Sequence, residues 1–415
     1  MYSYLDHILE SFNTASGWDI NNQYEKLTRN SRDLLDFQIP LGFNLNVSSL
    51  SAGSFASSYS IRNLSGAVDG DLSYYFATPN NVLTANRLIS ESADLNEVLC
   101  GYHHPQMPDI SDRGRMREEW KAGQRVDVPY SLLYGKLYLP SNLLEALFVR
   151  QFTPTSQAVV SAVTGNQIKN GSAILTQYQY NPGRWCTELL YGSDETLLGL
   201  RGLYNFGLDS RSSSSVYLSD PQPSWLSAGG EIYYCASNKA AGVSTALRYT
   251  TSSPFVQIPV TMTVTLNPIM GQLSAAYAVK SATSTTFASR FDFNVFSYES
   301  DLTLGCELWR GRSDEVTATV AAKGDSSTQF SRSPLQTEIQ SDYPVDLASN
   351  GNGDNQTIAL LQDSVWKLRM STSSPSIRVL WEGRIKSFLF SFGTDIDLRP
   401  GHGIQSFGLQ LQYAS

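Results

Sequence analysis

The sequence predicts an all-β membrane protein whose strands close into a barrel, and three observations support this class. Short segments along the chain alternate polar and apolar residues with a period of two. Charged residues make up only 16% of the 415 residues and hydrophobic residues 41%, a low charge content for an average soluble protein. The segment from Ser406 to Tyr413 alternates almost without interruption, and barrel closure would remove the exposed edge that such a strand otherwise presents.

The composition and the termini of the sequence argue against several other classes of protein. Nothing in the chain approaches the roughly 20 consecutive apolar residues of a transmembrane helix, whereas a barrel strand crosses a bilayer with about 9–11 residues. The N-terminus lacks the basic region of a secretory signal or a transit peptide. A net charge of -8 argues against broad binding of nucleic acid through phosphates. The four scattered cysteines suggest neither a disulfide framework nor a zinc site.

The beginning of the chain is expected to form a short helix over residues 1–15. Apolar residues recur there at helical spacing, at Tyr4, Leu5, Ile8, Leu9 and Phe12. In a barrel, the surface against which this helix packs would be the lumen wall. Residues 1–415 are interpreted as a single barrel domain.

The first strand is predicted over 37–47, where apolar residues alternate with polar or small ones. Pro40 cannot donate to a strand ladder, so it is expected at a bulge or near the strand start. Similar segments recur at short intervals, for example at 260–266, 302–308 and 388–392. Counting them predicts roughly seventeen to nineteen strands in a meander, because helical segments do not alternate with them.

Two regions interrupt the strands and are predicted to be long loops. Residues 79–129 carry the dense charge cluster from Asp112 to Glu119, and residues 311–361 are rich in Ser, Thr, Asp, Gly and Asn. In a membrane barrel both are expected to lie outside the bilayer, since irregular backbone is not tolerated against lipid.

A large soluble β-sandwich is the main alternative, because its strands also alternate. Three features favour lipid outside the barrel: the alternating runs are long, their polar faces suit a wet lumen, and aromatic residues recur near the ends of runs. The aromatic positions expected in interfacial girdles are Tyr298, Trp309, Trp366 and Trp381.

Catalytic and cofactor motifs are not found. The chain contains neither a metalloprotease, nucleophile-elbow, phosphate-loop nor dinucleotide pattern. Cys100, His103 and His104 superficially resemble a metal cluster, but a second Cys pair or a nearby carboxylate is missing. We therefore expect no enzyme activity, no cofactor and no metal, and a surface loop at these three residues.

Dispersed motifs along the whole chain resemble one family. Agreement is strongest in Tyr277-Ala278-Val279-Lys280, Gly305-Cys306-Glu307-Leu308-Trp309 and Leu380-Trp381-Glu382-Gly383. These residues are similar to those of the fungal mitochondrial distribution and morphology protein 10 family. The resemblance implies an outer-membrane barrel of the mitochondrial porin type with about 19 strands. An odd strand number implies a parallel pairing of the first strand with Phe407–Tyr413.

The same resemblance implies a function. The family anchors the ER–mitochondria encounter structure, a tether whose SMP-domain subunits transfer lipid, and it joins the sorting and assembly machinery that inserts outer-membrane barrels. The implied role is a non-enzymatic scaffold with these two complexes and membrane lipids as partners. A solute-conducting, porin-like channel is the alternative, because polar inward faces would permit one.

Two sets of site residues follow. Mitochondrial barrels end in a sorting signal of the form polar-x-Gly-x-x-hydrophobic-x-hydrophobic, which the resemblance places on Ser406, Gly408, Leu411 and Tyr413. The insertase would read this strand by edge pairing. The resemblance also makes outward aromatic residues candidates for partner contact, although each could simply meet lipid; they are Tyr74, Phe76, Phe291 and Phe293.

Overall fold

The computed structural model describes most of the chain. The described residues are 1–64, 66–79, 82–83, 88–93, 95–105, 118–121, 124–127, 129–166, 168, 171–206, 224–252, 259–281, 284–310, 364–373, 375–399 and 403–415. The predicted loop 311–361 lies outside the described residues.

Helices occur in two parts of the described chain. An N-terminal helix α1 spans Tyr4–Ser16, a 3-10 helix spans Tyr24–Thr28, and α2 spans Arg29–Leu35. The short helix α3 spans Leu95–Val98. Helix α1 begins with a capping box between Ser3 and Asp6 and ends at Gly17, whose φ of 70° makes the left-handed turn. None of the helices described here combines the length and apolar character needed to cross a bilayer.

Strands make up most of the described chain. Their bounds are β1 Gly42–Ala52, β2 Phe55–Leu64, β3 Ala67–Thr78, β4 Glu118–Lys121, β5 Gln124–Asp127, β6 Ser131–Leu139, β7 Leu143–Thr153, β8 Ser156–Thr164, β9 Ser172–Tyr180, β10 Trp185–Gly192, β11 Leu197–Phe206, β12 Trp225–Cys235, β13 Ala240–Ser252, β14 Pro259–Asn267, β15 Gln272–Lys280, β16 Thr285–Asn294, β17 Ser300–Arg310, β18 Ser364–Ser371, β19 Ser376–Ile385, β20 Phe388–Asp397 and β21 Ile404–Ala414. Strands β4 and β5 form a separate hairpin.

The other strands form one closed, 19-stranded sheet. Each pairs antiparallel with its neighbours along the chain, and β1 pairs with β21 in parallel to complete the circle. The predicted barrel and its parallel closure are therefore confirmed. Closure leaves neither β1 nor β21 with an unpaired edge.

The two rims of the barrel differ. Strands β3, β11 and β17 all run in the same direction as β1, so the three longest connections leave from one rim, here called the loop rim. The opposite rim, here called the turn rim, carries shorter connections such as 236–239 and 268–271.

The alternation in the sequence separates the outside of the wall from the lumen. Large apolar side chains such as Leu200, Met262 and Leu304 are exposed on the outside, as expected for a surface that meets lipid. Polar side chains such as Thr261 and Thr303 are buried on the lumen side.

Three local predictions need correction. The first strand begins at Gly42 rather than residue 37, and Phe37 is 5% exposed inside the barrel. Part of the predicted loop 79–129 enters the lumen, where it includes α3. Trp309 also faces the lumen and donates to the Glu307 carboxylate. A period-two pattern shows which residues share a face, but local turns decide where the pattern stops.

Candidate functional site: the seam and the occupied lumen

The seam joins β1 and β21, and the predicted sorting-signal residues lie along it. Gly408 pairs with Gly42, Leu411 with Leu45, and Tyr413 with Val47. The parallel register runs without interruption from Gly42 to Ser48. The seam is thus a continuous ladder whose apolar side chains point outward.

Ser406 and Gly408 face the lumen on the same strand. Ser406 pairs with Asp395 of β20, and Gly408 also pairs with Gly393 of that strand. A Cβ atom built on Gly408 would overlap the backbone carbonyl group of Pro40. Only glycine fits at this point, because the chain leaves the lumen directly against it.

The first pair of candidate partner residues lies on the outside of β3. Tyr74 is 45% exposed and Phe76 is 44% exposed. The Tyr74 ring stacks on Phe55 of β2 with centroids 6.1 Å apart. Its directly paired neighbours are Ser57 of β2 and Gly135 of β6, and a Cβ atom on Gly135 would meet nothing within 4 Å. The pair could contact either lipid or protein.

The second pair lies on the outside of β16. Phe291 is 44% exposed and stacks on the partly buried Phe293 with centroids 6.5 Å apart. Strands β17 to β21, β1 and β2 separate this pair from Tyr74 and Phe76 along the shorter arc of the wall. The structure therefore places the four candidates on two separate surfaces.

The lumen holds the N-terminal segment, defined as residues 1–41. Ile8 and Phe12 of α1 are fully buried against wall residues of β2, β3, β6 and β7, including Tyr75 and Leu132. Burying both side chains removes them from water, which stabilises the seated helix. Helix α1 therefore occupies part of the lumen on that side of the barrel.

The N-terminal segment then crosses to the other side of the lumen. Asn22 donates to Asn181 at 2.7 Å and accepts from Asn205 at 2.7 Å. The Tyr24 hydroxyl lies 2.6 Å from Ser244 of β13. Each of these buried polar groups has a partner on the wall, as a stable buried network requires.

A second lumenal segment comes from the region between β3 and β6. We call residues 88–93 and 95–105 the strap. Arg384 of β19 donates to the Ala93 carbonyl at 2.7 Å, and Tyr102 donates its backbone N–H to Glu307 of β17 at 3.2 Å. The strap is thus held to the wall through its own backbone.

A buried ion-pair network underlies the strap. The Lys367 ammonium of β18 lies 2.7 Å from the Glu382 carboxylate of β19 and also donates to the Cys100 carbonyl. The Met1 ammonium contacts Glu382 as well. Lys367 and Glu382 are both fully buried, so each depends on its partners to offset the loss of water.

Two lumenal histidines are neutral near pH 7. Burial lowers the pKa of His7 on α1 to about 4. Burial, with a smaller contribution from the Arg29 charge, lowers the pKa of His103 in the strap to about 4. His103 lies 3.3 Å from the Tyr2 hydroxyl, so it joins the strap to the N-terminal segment. Protonation of either ring would place a charge in a buried contact.

Cys100, His103 and His104 all lie in the strap, but their surroundings are those of a packed segment. The His103 backbone donates to Asn30 at 3.2 Å, and the His104 ring lies 3.5 Å from the Tyr102 hydroxyl. Within the described ranges, no group of three or more His, Cys, Asp or Glu side chains is arranged to hold a metal ion.

Comparison with known proteins assigns the family. A family model described as mitochondrial distribution and morphology protein 10 matches residues 1–415. Proteins of that name from Sclerotinia sclerotiorum and Phaeosphaeria nodorum are each 39% identical to this chain, and one from Yarrowia lipolytica is 37% identical. All three alignments cover the whole of both chains. The chain belongs to the mitochondrial distribution and morphology protein 10 family.

Family membership associates the barrel with mitochondrial distribution and morphology. The family match covers both lumenal segments.

The sequence predicts only the first of these two segments. The N-terminal helix is predicted from its 3.6-residue period. The strap was missed because short, irregular segments carry no periodicity. The closely packed lumenal glycines Gly305 and Gly393 were missed because a lone glycine in a strand pattern indicates only a possible close approach.

Proposed function

We propose that this chain is a non-enzymatic scaffold of the mitochondrial outer membrane. It would anchor the ER–mitochondria tethering and lipid-transfer complex, and take part in the assembly of other outer-membrane barrels. The observation that carries this proposal is the occupied lumen. The N-terminal segment and the strap fill much of the interior with buried apolar and ion-paired contacts. An interior built in this way favours a platform over an open channel.

The outer wall supports two kinds of partner. Tyr74 and Phe76 on β3 are separated by several strands from Phe291 and Phe293 on β16. Two separate aromatic surfaces would let the barrel contact an assembly barrel and a tether subunit at different sites. Aromatic side chains suit this role, because they contribute large contact areas at interfaces.

The seam supports a proposed role for β21 as a sorting signal. Before closure, β21 would offer a free edge to the insertase, and alternate side chains would set the register of pairing. Afterwards the same edge pairs with β1, as Leu411 does with Leu45.

A solute channel is the second candidate function. A lumenal cavity of about 450 Å³ remains beside the N-terminal segment, and its lining includes Asn44, Lys136 and Gln410. These polar walls would suit water or small solutes. The channel becomes the better proposal if the intact chain conducts.

Purification of native complexes tests the scaffold. Tyr74→Ala with Phe76→Ala should reduce recovery of assembly or tether partners several-fold while barrel insertion continues. The matched control is Tyr204→Ala with Phe206→Ala, an outward pair whose rings lie 4.7 Å apart on β11. Recovery of every partner at the normal level would remove the β3 site. An equal loss in the control would indicate a general defect of the barrel.

A further inference from the structure

Four lumen-facing glycines of the wall lie against the N-terminal segment at positions where an added Cβ atom would be crowded by it. A Cβ atom would lie 2.7 Å from Tyr24 on Gly229, 2.6 Å from Leu35 on Gly305 and 3.0 Å from Ile39 on Gly393. On Gly408 it would overlap the Pro40 carbonyl. We call Gly229, Gly305, Gly393 and Gly408 the glycine track.

The glycine track follows the path of the chain. Successive parts of the N-terminal segment meet β12, β17, β20 and β21 in that order, and the chain then enters β1 at Gly42. The contacts therefore extend around the wall and end at the seam. Helix α2 continues the path between them, with Leu34 and Leu35 buried against the wall residues Ala278 and Ala288.

Outward glycines on the same barrel have different surroundings. A Cβ atom on Gly135 of β6 or on Gly202 of β11 would meet nothing within 4 Å. Gly199 of β11 is also tightly packed, but against the wall residue Tyr233 and not against the N-terminal segment. At the four track positions, the absence of a side chain makes room for the N-terminal segment.

Polar contacts also hold residues 25–36 of the N-terminal segment in position on the wall. The Arg290 guanidinium of β16 binds Asp36, which follows α2, with one N–O distance of 3.0 Å. The Arg201 guanidinium of β11 lies 3.1 Å from Glu25 of the 3-10 helix. These pairs fix the two ends of residues 25–36 on the wall.

At the seam, the entry into β1 allows little freedom. Gly42 has a φ of 64°, a left-handed conformation that favours glycine, and a Cβ atom there would overlap the backbone carbonyl group of Asn63 on β2. Pro40 lies against Gly408 on the other side. The start of β1 is thus held in close contact with both β2 and β21, through Gly42 on one side and Pro40 on the other.

We propose that residues 24–42 act as an internal template for closure of the barrel. Seated on the glycine track, they position β1 against β21 and so set the Gly42–Gly408 register of the seam. Gly305 and Gly393 are positioning residues in this process, although both lie outside the predicted sorting signal. Closure would therefore depend on Gly305 and Gly393 as well as on Gly408, which the track shares with the predicted sorting signal.

A seam crosslink tests the template directly. Asn46 and Gln412 are paired neighbours on the lumen side of the seam. Paired strands lie about 4.8 Å apart, within the range that a disulfide spans. Asn46→Cys with Gln412→Cys should therefore crosslink in full-length, membrane-integrated protein. Mass spectrometry of the joined peptides separates this product from those of the native cysteines.

Gly305→Ala and Gly393→Ala should each lower the crosslink yield several-fold while carbonate-resistant membrane integration stays normal. Gly135→Ala and Gly202→Ala, the outward controls, should leave both measurements unchanged. A crosslink yield equal to that of the parent in both track variants overturns the proposal. An equal loss in the outward controls also overturns it.

A compensating variant keeps the test decisive if Gly305→Ala disturbs folding. Leu35→Ala removes the side chain that the new methyl group would strike. The double variant should recover the crosslink yield and any lost integration. Failure to recover would show that the Gly305 contact with the N-terminal segment is not the cause, and would overturn the template. The result is independent of partner binding, so it does not depend on the scaffold proposal.

Discussion

The Lys367 ammonium lies 2.7 Å from the Glu382 carboxylate on adjacent strands of the lumen wall, and both side chains are fully buried. Lys367 also donates to the Cys100 carbonyl, so one cation joins the wall to the strap. Burial of a charge is costly unless its partners remain in place. This relationship makes the strap sensitive to a single wall residue.

Lys367→Met should loosen the strap. Glu382 would keep the Met1 ammonium as a partner, so we expect a loss of about 3 kcal/mol, the lower end of the cost of breaking a buried pair. Maleimide labelling of Cys100 in folded protein should become several-fold faster. Lys386→Met, in the exposed turn between β19 and β20, serves as the control. Labelling at the parent rate would show that Lys367 does not hold the strap.

Gly408→Leu should impair membrane integration. The substitution disrupts the proposed sorting signal, and the new side chain would also collide with Pro40 in the closed barrel. Import into isolated mitochondria followed by carbonate extraction measures the effect. Gly403→Leu is the control, because a Cβ atom there meets nothing within 4 Å. Integration of Gly408→Leu at the normal rate would contradict the sorting-signal assignment.

The intact chain should conduct poorly in planar bilayers, because its own segments occupy the lumen. Removing residues 2–23 takes α1 away from its wall contacts at Tyr75 and Leu132, and should raise the conductance several-fold. A large, selective and regulated conductance in the intact chain would favour the channel. That conclusion would be firmest if the conductance survived deletion of 79–129 and 311–361.

Acidification should loosen the lumenal packing. The pKa of His7 and that of His103 are lowered to about 4, against an ordinary value of about 6.5. Between these values the unfolded chain binds more protons than the folded one, so stability falls as pH decreases from about 6.5 to 4. The hydrogen-exchange protection factors of residues 4–16, which correct for the slower intrinsic exchange in acid, should fall over this interval.

His7→Phe provides the matched variant for the acid prediction. It keeps an aromatic ring against Tyr2, which now meets the His7 ring edge to face at 6.1 Å, but it cannot be protonated. The acid-induced fall in the protection factors of residues 4–16 should be smaller in this variant. An unchanged pH dependence would show that His7 does not contribute.

Sequence reasoning predicted the barrel well because its strongest signal is local. Each strand alternates with a period of two, and this determines which side chains share a face. The outward position of Leu411 and Tyr413 follows from this pattern. Their parallel pairing with β1 was implied only by the family resemblance, and it is confirmed in the structure.

The polar–apolar alternation gave wrong predictions where the chain changes direction and where wall residues face segments packed inside the lumen. Residues 37–41 continue the alternation of β1, yet they form the exit from the lumen, because Pro40 cannot join a ladder and Gly42 turns the chain. Trp309 was predicted for an aromatic girdle, but it faces inward to Glu307. The ends of strands therefore needed the structure.

The alternating sequence was sufficient to determine a barrel with an apolar outside, since side-chain direction in a strand is a property of neighbouring residues. The contents of the lumen depended on tertiary contacts between residues far apart in the chain. Gly305 packs closely against Leu35, and Lys367 donates a hydrogen bond to the Cys100 carbonyl. Such pairings carry no local period, so only the folded barrel could bring them together.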